Sequence, residues 1–187
     1  MLLIKCCGIL YMENNKWGLQ GKLAEKAEKE GIGFLYTNHD MAKHLISTIN
    51  FRDDDIVMNS SYGDGAFYDH LPEHLTKHYC EINEDIDYLK DNTIVDITLD
   101  NPPFVPRKLF WEFMRVAMEN TKREIYWLIN MNCINVFTPK RLDEMKEKGW
   151  YLNSFHIVSD KRWYGRYIWC KITKVDNGTS TWKRKSF

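Results

Sequence analysis

Apolar positions along this chain follow two rhythms. Short runs dense in β-branched and aromatic residues recur at "DIVMN" (55–59), "HYCEI" (78–82), "NTIVDITL" (92–99), "EIYWLINM" (124–131), "YLNSFHIV" (151–158) and "GRYIWCKI" (165–172), and each reads as a strand. Between several of them the spacing becomes helical. "NHDMAKHLISTI" puts Met41, Leu45, Ile46 and Ile49 on one face behind Asn38 as an N-cap. "RKLFWEFMRVAMEN" does the same with Leu109, Phe110, Phe113, Val116 and Ala117. In "TPKRLDEMKEKG", Thr138 caps, Pro139 suits the first turn and Gly149 stops the helix.

Strands alternating with helices predict an α/β domain built on a largely parallel sheet. The last two strands are joined by "SDKRWY", too short for a crossover helix, so an antiparallel hairpin is expected at the sheet's edge. Residues 1–33 read as an N-terminal packing arm, 34–174 as the domain and 175–187 as a loosely ordered basic tail.

Composition narrows the function classes. With 187 residues, 44% of them hydrophobic, the chain has enough apolar surface for one real core. Twenty-six basic and 26 acidic residues cancel, so any polyanion must be gripped locally rather than by an overall positive field. Five cysteines, an odd number with no C-x-x-C, suggest neither a zinc site nor a disulfide framework and fit a reduced, intracellular (cytoplasmic) protein. The N-terminal "MLLIKCCGILYM" is apolar but broken by Lys5 and far short of a membrane span. No histidine shows ligand spacing with acidic neighbours, so no metal is expected.

Chemistry enters at the strand ends. Ligands of open parallel sheets bind where strands reach their carboxyl edge. "DIVMNSSYGDGAFYDHL" places Gly63-Asp64-Gly65 there after the first strong strand, and glycines let backbone bend sharply and approach a ligand closely, although a plain β-turn would use them equally well. "HYCEI" ends with Glu81, an acid able to accept hydrogen bonds from two ribose hydroxyls. Thr37 stands at a helix start, where free N–H groups can hold a carboxylate. Finally, "TLDNPPFVP" follows a β-branched run; Asn-Pro there reads as a turn that ends the strand, or, chemically, as two stiffly held acceptors, the Asn101 side-chain oxygen and the Pro102 carbonyl, for one amino group.

Taken together, residues from about Phe34 to Lys171 resemble the S-adenosylmethionine-dependent N6-adenine DNA methyltransferases. "FLYTNHDMAKHLI" is similar to that family's Phe-Tyr-Thr-Pro cofactor segment, with Asn38 where proline is usual. "NSSYGDGAF" resembles its Asp/Glu-Pro-x-x-Gly-x-Gly loop, with Asn59 at the acidic position and Ser60 at the proline, and with Gly63, Gly65 and Phe67 in place. Glu81 resembles the ribose acid, "DYL" (87–89) the segment whose Asp87 meets the cofactor's adenine, and "NPPF" (Asn101, Pro102, Pro103, Phe104) the catalytic motif.

The resemblance implies a Rossmann-like class I methyltransferase fold, with a seven-stranded mainly parallel sheet and an antiparallel C-terminal hairpin. It also implies S-adenosyl-L-methionine as cofactor and duplex DNA as partner, the target adenine flipped out of the stack and held against Phe104. Arg107, Lys108, Lys161, Arg162 and Arg166 are then phosphate contacts, as are the tail's Lys183, Arg184 and Lys185. Trp163 or Tyr164 would make a second wall for the base, unless they pack on the sheet as an aromatic edge. RNA or a protein glutamine offers a similar planar amino group, and a non-catalytic protein could keep the fold. No insertion remains for a target-recognition domain, so a partner subunit, self-association or a short permissive target is expected.

Overall fold

The computed structural model describes residues 36–104, 107–161 and 166–178. Residues 1–35, Arg162, Trp163, Tyr164 and most of the tail therefore lie outside the described residues, and with them the N-terminal arm and one part of the expected hairpin contacts.

Six strands appear where the β-branched runs lie: β1 (Ile56–Asn59), β2 (Thr76–Tyr79), β3 (Val95–Asp100), β4 (Thr121–Asn130), β5 (Tyr151–Val158) and β6 (Tyr167–Thr173). They form one sheet in the order β2-β1-β3-β4-β6-β5. β2, β1, β3 and β4 run parallel, whereas β6 is antiparallel to both β4 and β5, so the edge hairpin is present. Among the described residues, three helices of eight or more residues cover the sheet: α1 (His39–Ile46), α2 (Arg107–Asn120) and α3 (Pro139–Glu147).

Local chemistry explains the helix boundaries. The Asn38 side chain accepts from the N–H groups of Asp40 and Met41 at the start of α1, and Thr138 accepts from Arg141 N–H at the start of α3. Beyond α3, Gly149 takes a left-handed φ of 73°, the backbone state that ends a helix at least cost. α1 buries Ala42, Leu45 and Ile46, and α2 buries Phe110, Trp111, Phe113, Met114, Ala117 and Met118. Leu109 and Val116, expected on that face, are half-buried at its margin.

Both faces of the sheet are covered, as a parallel sheet requires. Alternate residues of β4 divide between them: Ile125, Trp127 and Ile129 pack with α2 and α3, while Tyr126 and Leu128 pack with α1, Phe67 and Leu71.

The strand count differs from expectation, with six among the described residues instead of seven. The six runs read from the sequence account for these six strands; in the run at 78–82, β2 ends at Tyr79, Cys80 N–H still donates to the Asn59 carbonyl at 3.0 Å, and Glu81 pairs only in an isolated bridge with Ile86. The chain then makes 3-10 turns at Ile82–Glu84 and Tyr88–Lys90. Glu81 accepts from Asn83 N–H, Asp87 accepts from Leu89 N–H, and Asp85 adopts a left-handed φ of 61°. Acid side chains that satisfy nearby backbone donors compete with a strand ladder, and here the turns prevail.

Candidate active site

β1 and β3 lie side by side, with Asn59 level with Leu99. The chain leaves β1 for β2 on one side and returns as β3 on the other, which makes the carboxyl edge between them a topological switch point. Thr37, Asn59, the glycine loop, Glu81 and Asn101 all cluster about this edge through the hydrogen bonds that follow.

At the centre is Asp100, only 1% exposed. Its Oδ2 accepts from the hydroxyls of Ser60 and Ser61, both at 2.6 Å. Its Oδ1 accepts from the Asn101 N–H at 2.7 Å and from Asn59 Nδ2 at 3.2 Å. Four donors favour the charged form, but burial outweighs them and pushes the carboxyl up to about 7. Asp100 thereby ties the end of β1 and the start of the glycine loop to the backbone of Asn101. Sequence reasoning assigned no role to Asp100, Ser60 or Ser61. The one available signal was an acid closing a β-branched strand, with two consecutive serines at the end of another strand forty residues earlier.

Asn101 is held from the other side as well. Its Nδ2 donates to Thr37 Oγ1 at 3.2 Å, while its Oδ1 is buried with no partner among the described residues. Asn59 repeats the pattern: Nδ2 donates to Asp100 and to the carbonyls of Ser61 and Leu99, and Oδ1 has no partner. An unsatisfied buried acceptor costs about 1–3 kcal/mol. Two such oxygens at one strand edge are suited to a ligand's donors. Pro102 and Pro103 are buried, and half-buried Phe104 packs against both core clusters, its ring centroid 6.4 Å from Phe110 and 6.3 Å from Tyr167.

The glycine loop and Glu81 meet directly. Gly63 and Gly65 have φ of 64° and 85°, a region that L side chains rarely adopt. Gly63 N–H donates to Glu81 Oε2 at 3.0 Å, and Glu81 Oε1 accepts from Asn83 N–H and Nδ2. A Cβ on Gly65 would come within 2.6 Å of Asp69 Oδ2 and 2.8 Å of the Tyr62 hydroxyl, so the space beside it is filled by this chain's own side chains. Tyr62, Tyr68 and Tyr79 pack ring to ring alongside, with centroids 4.7–5.6 Å apart.

The other expected site residues lie around this edge and on the surface. Phe67 is buried beneath the loop with its ring stacked 5.4 Å from Trp169. Asp87 caps its own turn and pairs with Lys90 at 3.2 Å. The N–H groups of Asp40 and Met41, expected to hold a carboxylate near Thr37, are taken by Asn38. Thr37 instead meets Asn101. Arg107, Lys108, Lys161 and Arg166 are exposed, and Lys161 lines an open groove of 480 Å³ together with Asn38, Asp40, Met41, Ser159 and Asp160. Among the described residues no group of His, Cys, Asp and Glu is arranged to hold a metal, and no helix is long and apolar enough to cross a membrane.

The sequence matches no protein-family model and no curated protein. Its fold matches solved structures. A protein from Listeria monocytogenes assigned as a class I S-adenosylmethionine-dependent methyltransferase superposes with a TM-score of 0.59 at 13% identity, over 89% of this chain and 69% of that one. Magnesium protoporphyrin IX methyltransferase from Synechocystis PCC 6803, solved with bound S-adenosylmethionine, gives 0.55 at 8% identity over 86% of both chains. A modification subunit assigned to a type I restriction enzyme from Vibrio vulnificus YJ016 gives 0.56 at 14% identity, over 83% of this chain and 48% of that one. At these identities the likeness concerns architecture, and with the sheet order and edge hairpin described above it establishes that this chain has the Rossmann-like class I methyltransferase fold.

Proposed function

We propose that this chain transfers a methyl group from S-adenosylmethionine to the exocyclic N6 amino group of adenine in DNA. The observation that carries the reading is the Asn101 side chain: clamped through Nδ2 by Thr37 and through its backbone by Asp100, it leaves Oδ1 as a buried acceptor without a partner, immediately before two buried prolines. The fold relatives that bear S-adenosylmethionine in their names support the donor, and the name of the Vibrio protein, a modification subunit assigned to a type I restriction enzyme, makes DNA the substrate to test first.

The residues at the strand edge fit that donor. Glu81 retains lone pairs for ribose hydroxyls beyond those used by Gly63 and Asn83, and the orphan Asn59 Oδ1 awaits a donor such as an ammonium group. When bound, the cofactor supplies an electrophilic sulfonium methyl.

The chain's own residues do the rest. The lone pair of adenine N6 is delocalised into the ring, so the nitrogen is a poor nucleophile. Asn101 Oδ1 and the Pro102 carbonyl accept its two hydrogens, favour a pyramidal nitrogen and stabilise the positive charge that develops as the N–C bond forms and the C–S bond breaks. Because both acceptors are fixed beforehand, no reorganisation accompanies the charge, which is the basis of electrostatic catalysis. The proton then leaves the methylated nitrogen for solvent. Phe104 offers a ring face to a flipped base, and such stacking is worth about 1–3 kcal/mol.

The test is methyl transfer from labelled S-adenosylmethionine to matched duplex, mismatched duplex, single-stranded DNA, RNA and a glutamine peptide, with mass spectrometry of the modified residue. Label is expected as N6-methyladenine in duplex DNA, increased by a mismatch because extrusion costs less there. Asn101→Ala should lower turnover by about a hundredfold or more while S-adenosylhomocysteine still binds, by analogy with loss of one oxyanion-type hydrogen bond. Label confined to RNA or peptide, or normal turnover by Asn101→Ala, refutes the reading.

A further inference from the structure

The chain is neutral overall, yet its cations are unevenly placed. α2 begins with Arg107-Lys108 and α3 has Lys140-Arg141 in its first turn, and neither first turn contains an acidic residue. Helix N-termini carry partial positive charge, so basic pairs there work against the backbone, and acids are what local stability would select. A conflict with local electrostatics repeated on two helices points to a ligand that resolves it.

The two basic turns are neighbours in space. They border one cleft of 210 Å³ lined by Lys108, Trp111, Arg115, Lys140, Arg141 and Glu144. Its floor is ordered: Arg115 forms two hydrogen bonds to Glu144 at 2.6 and 3.1 Å, and Trp111 Nε1 donates to the same carboxylate at 3.1 Å. Arg141 lies over the Trp111 ring, 4.9 Å from its centroid, and donates to the Val136 carbonyl at 3.0 Å. Burial, and next the nearby Arg115, hold the Arg141 guanidinium below its usual value. Glu144 is committed to Arg115 and Trp111, and Glu112 pairs with exposed Lys108 at 3.5 Å, yet the lining of the cleft keeps Lys108, Arg115, Lys140 and Arg141 against Glu144 as its single acid.

The position of the cleft gives it meaning. α2 starts just after the "NPPF" segment, and α3 starts beyond the carboxyl end of β4, so both basic turns lie on the same sheet edge as Asn101. We propose that this cleft binds the phosphodiester backbone of the nucleic-acid substrate, with Lys108, Lys140 and Arg141 contacting phosphate and Trp111 supporting the Arg141 plane. The inference rests on the proposed function and deepens it, since phosphate contacts would set the orientation in which a base reaches Asn101.

The experiment is fluorescence anisotropy of a labelled DNA duplex and of an RNA hairpin, titrated with the full chain at several salt concentrations. Wild type is compared with the double variant Lys108→Ala/Lys140→Ala and with Lys146→Ala, at the far end of α3. Both substituted lysines of the double variant are exposed, and calorimetric binding of S-adenosylhomocysteine together with the melting temperature checks that its fold and cofactor site are intact. The double variant should reduce the slope of log K against log salt by about two, since each lost phosphate contact removes roughly one unit, and Lys146→Ala should leave it close to that of wild type. The nucleic acid that binds more tightly identifies the source of the phosphates. An unchanged slope in the double variant, with wild type still methylating nucleic acid, overturns the cleft and leaves the proposed function standing. An equal effect of Lys146→Ala shows general charge and also overturns the cleft. Absence of nucleic-acid binding by wild type overturns both.

Discussion

Replacing Asp100 with Asn should stabilise the protein at alkaline pH. In the native state Asp100 is fully enclosed and burial raises its carboxyl to about 7, whereas an unfolded aspartate titrates at about 3.9. The folded chain therefore holds a proton that the unfolded chain has lost. Stability contributed by this group is complete below about pH 4 and falls as pH rises through 7. With 1.36 kcal/mol per unit of pKa difference, the decline between pH 5 and pH 8 amounts to about 2–3 kcal/mol. For a chain of this size that corresponds to roughly 5–10 °C in melting temperature.

The hydrogen bonds make Asn a good mimic of the protonated acid. Asp100 Oδ1 receives two N–H donors, from Asn101 and Asn59, and Oδ2 receives two hydroxyls, from Ser60 and Ser61. An Asn oxygen can keep the former pair, and its NH₂ can face the serines, whose hydroxyls rotate to accept. Asp100→Asn should thus flatten the stability profile between pH 5 and 8 and exceed wild type at pH 8. Urea unfolding of both proteins across that range measures it. If Asp100→Asn is less stable at every pH with an unchanged slope, the four donors hold an ionised carboxylate and the reasoning fails.

Other perturbations act more locally. Asn38→Ala removes the acceptor for the Asp40 and Met41 N–H groups and should cost about 1 kcal/mol; thermal melting reads the loss, and hydrogen exchange should show those two amides losing protection first. Gly65→Ala places a Cβ 2.6 Å from Asp69 Oδ2 on a backbone with φ of 85°, and should destabilise by about 1–3 kcal/mol. The urea midpoint checks that value, and S-adenosylhomocysteine affinity should fall with it because the loop must shift.

Much of this protein was legible one segment at a time. Asn38 and Thr138 cap helices from two or three residues away, the β-branched runs coincide with strands, and a join too short for a helix dictated the antiparallel edge. "NPPF" was readable for the same reason: its stiffness and its acceptors are contiguous in the chain. What the sequence hid depends on partners far apart. Thr37 and Asn101 are 64 positions distant, and Ser60 and Ser61 reach Asp100 across about forty, so no local pattern identified the polar cluster that holds the site. The same holds for the basic cleft, whose two cationic turns belong to separate helices and meet only because β3 and β4 are adjacent. The end of β2 shows the reverse case: Glu81 meets a backbone donor only two residues away and turns Glu81 and Ile82, read as the end of a strand, out of the ladder. Periodicity and propensity act over a few residues and determine which elements form; desolvation of Asp100 and the pairing of Asn101 exist only once the sheet has brought distant residues into one low-dielectric place.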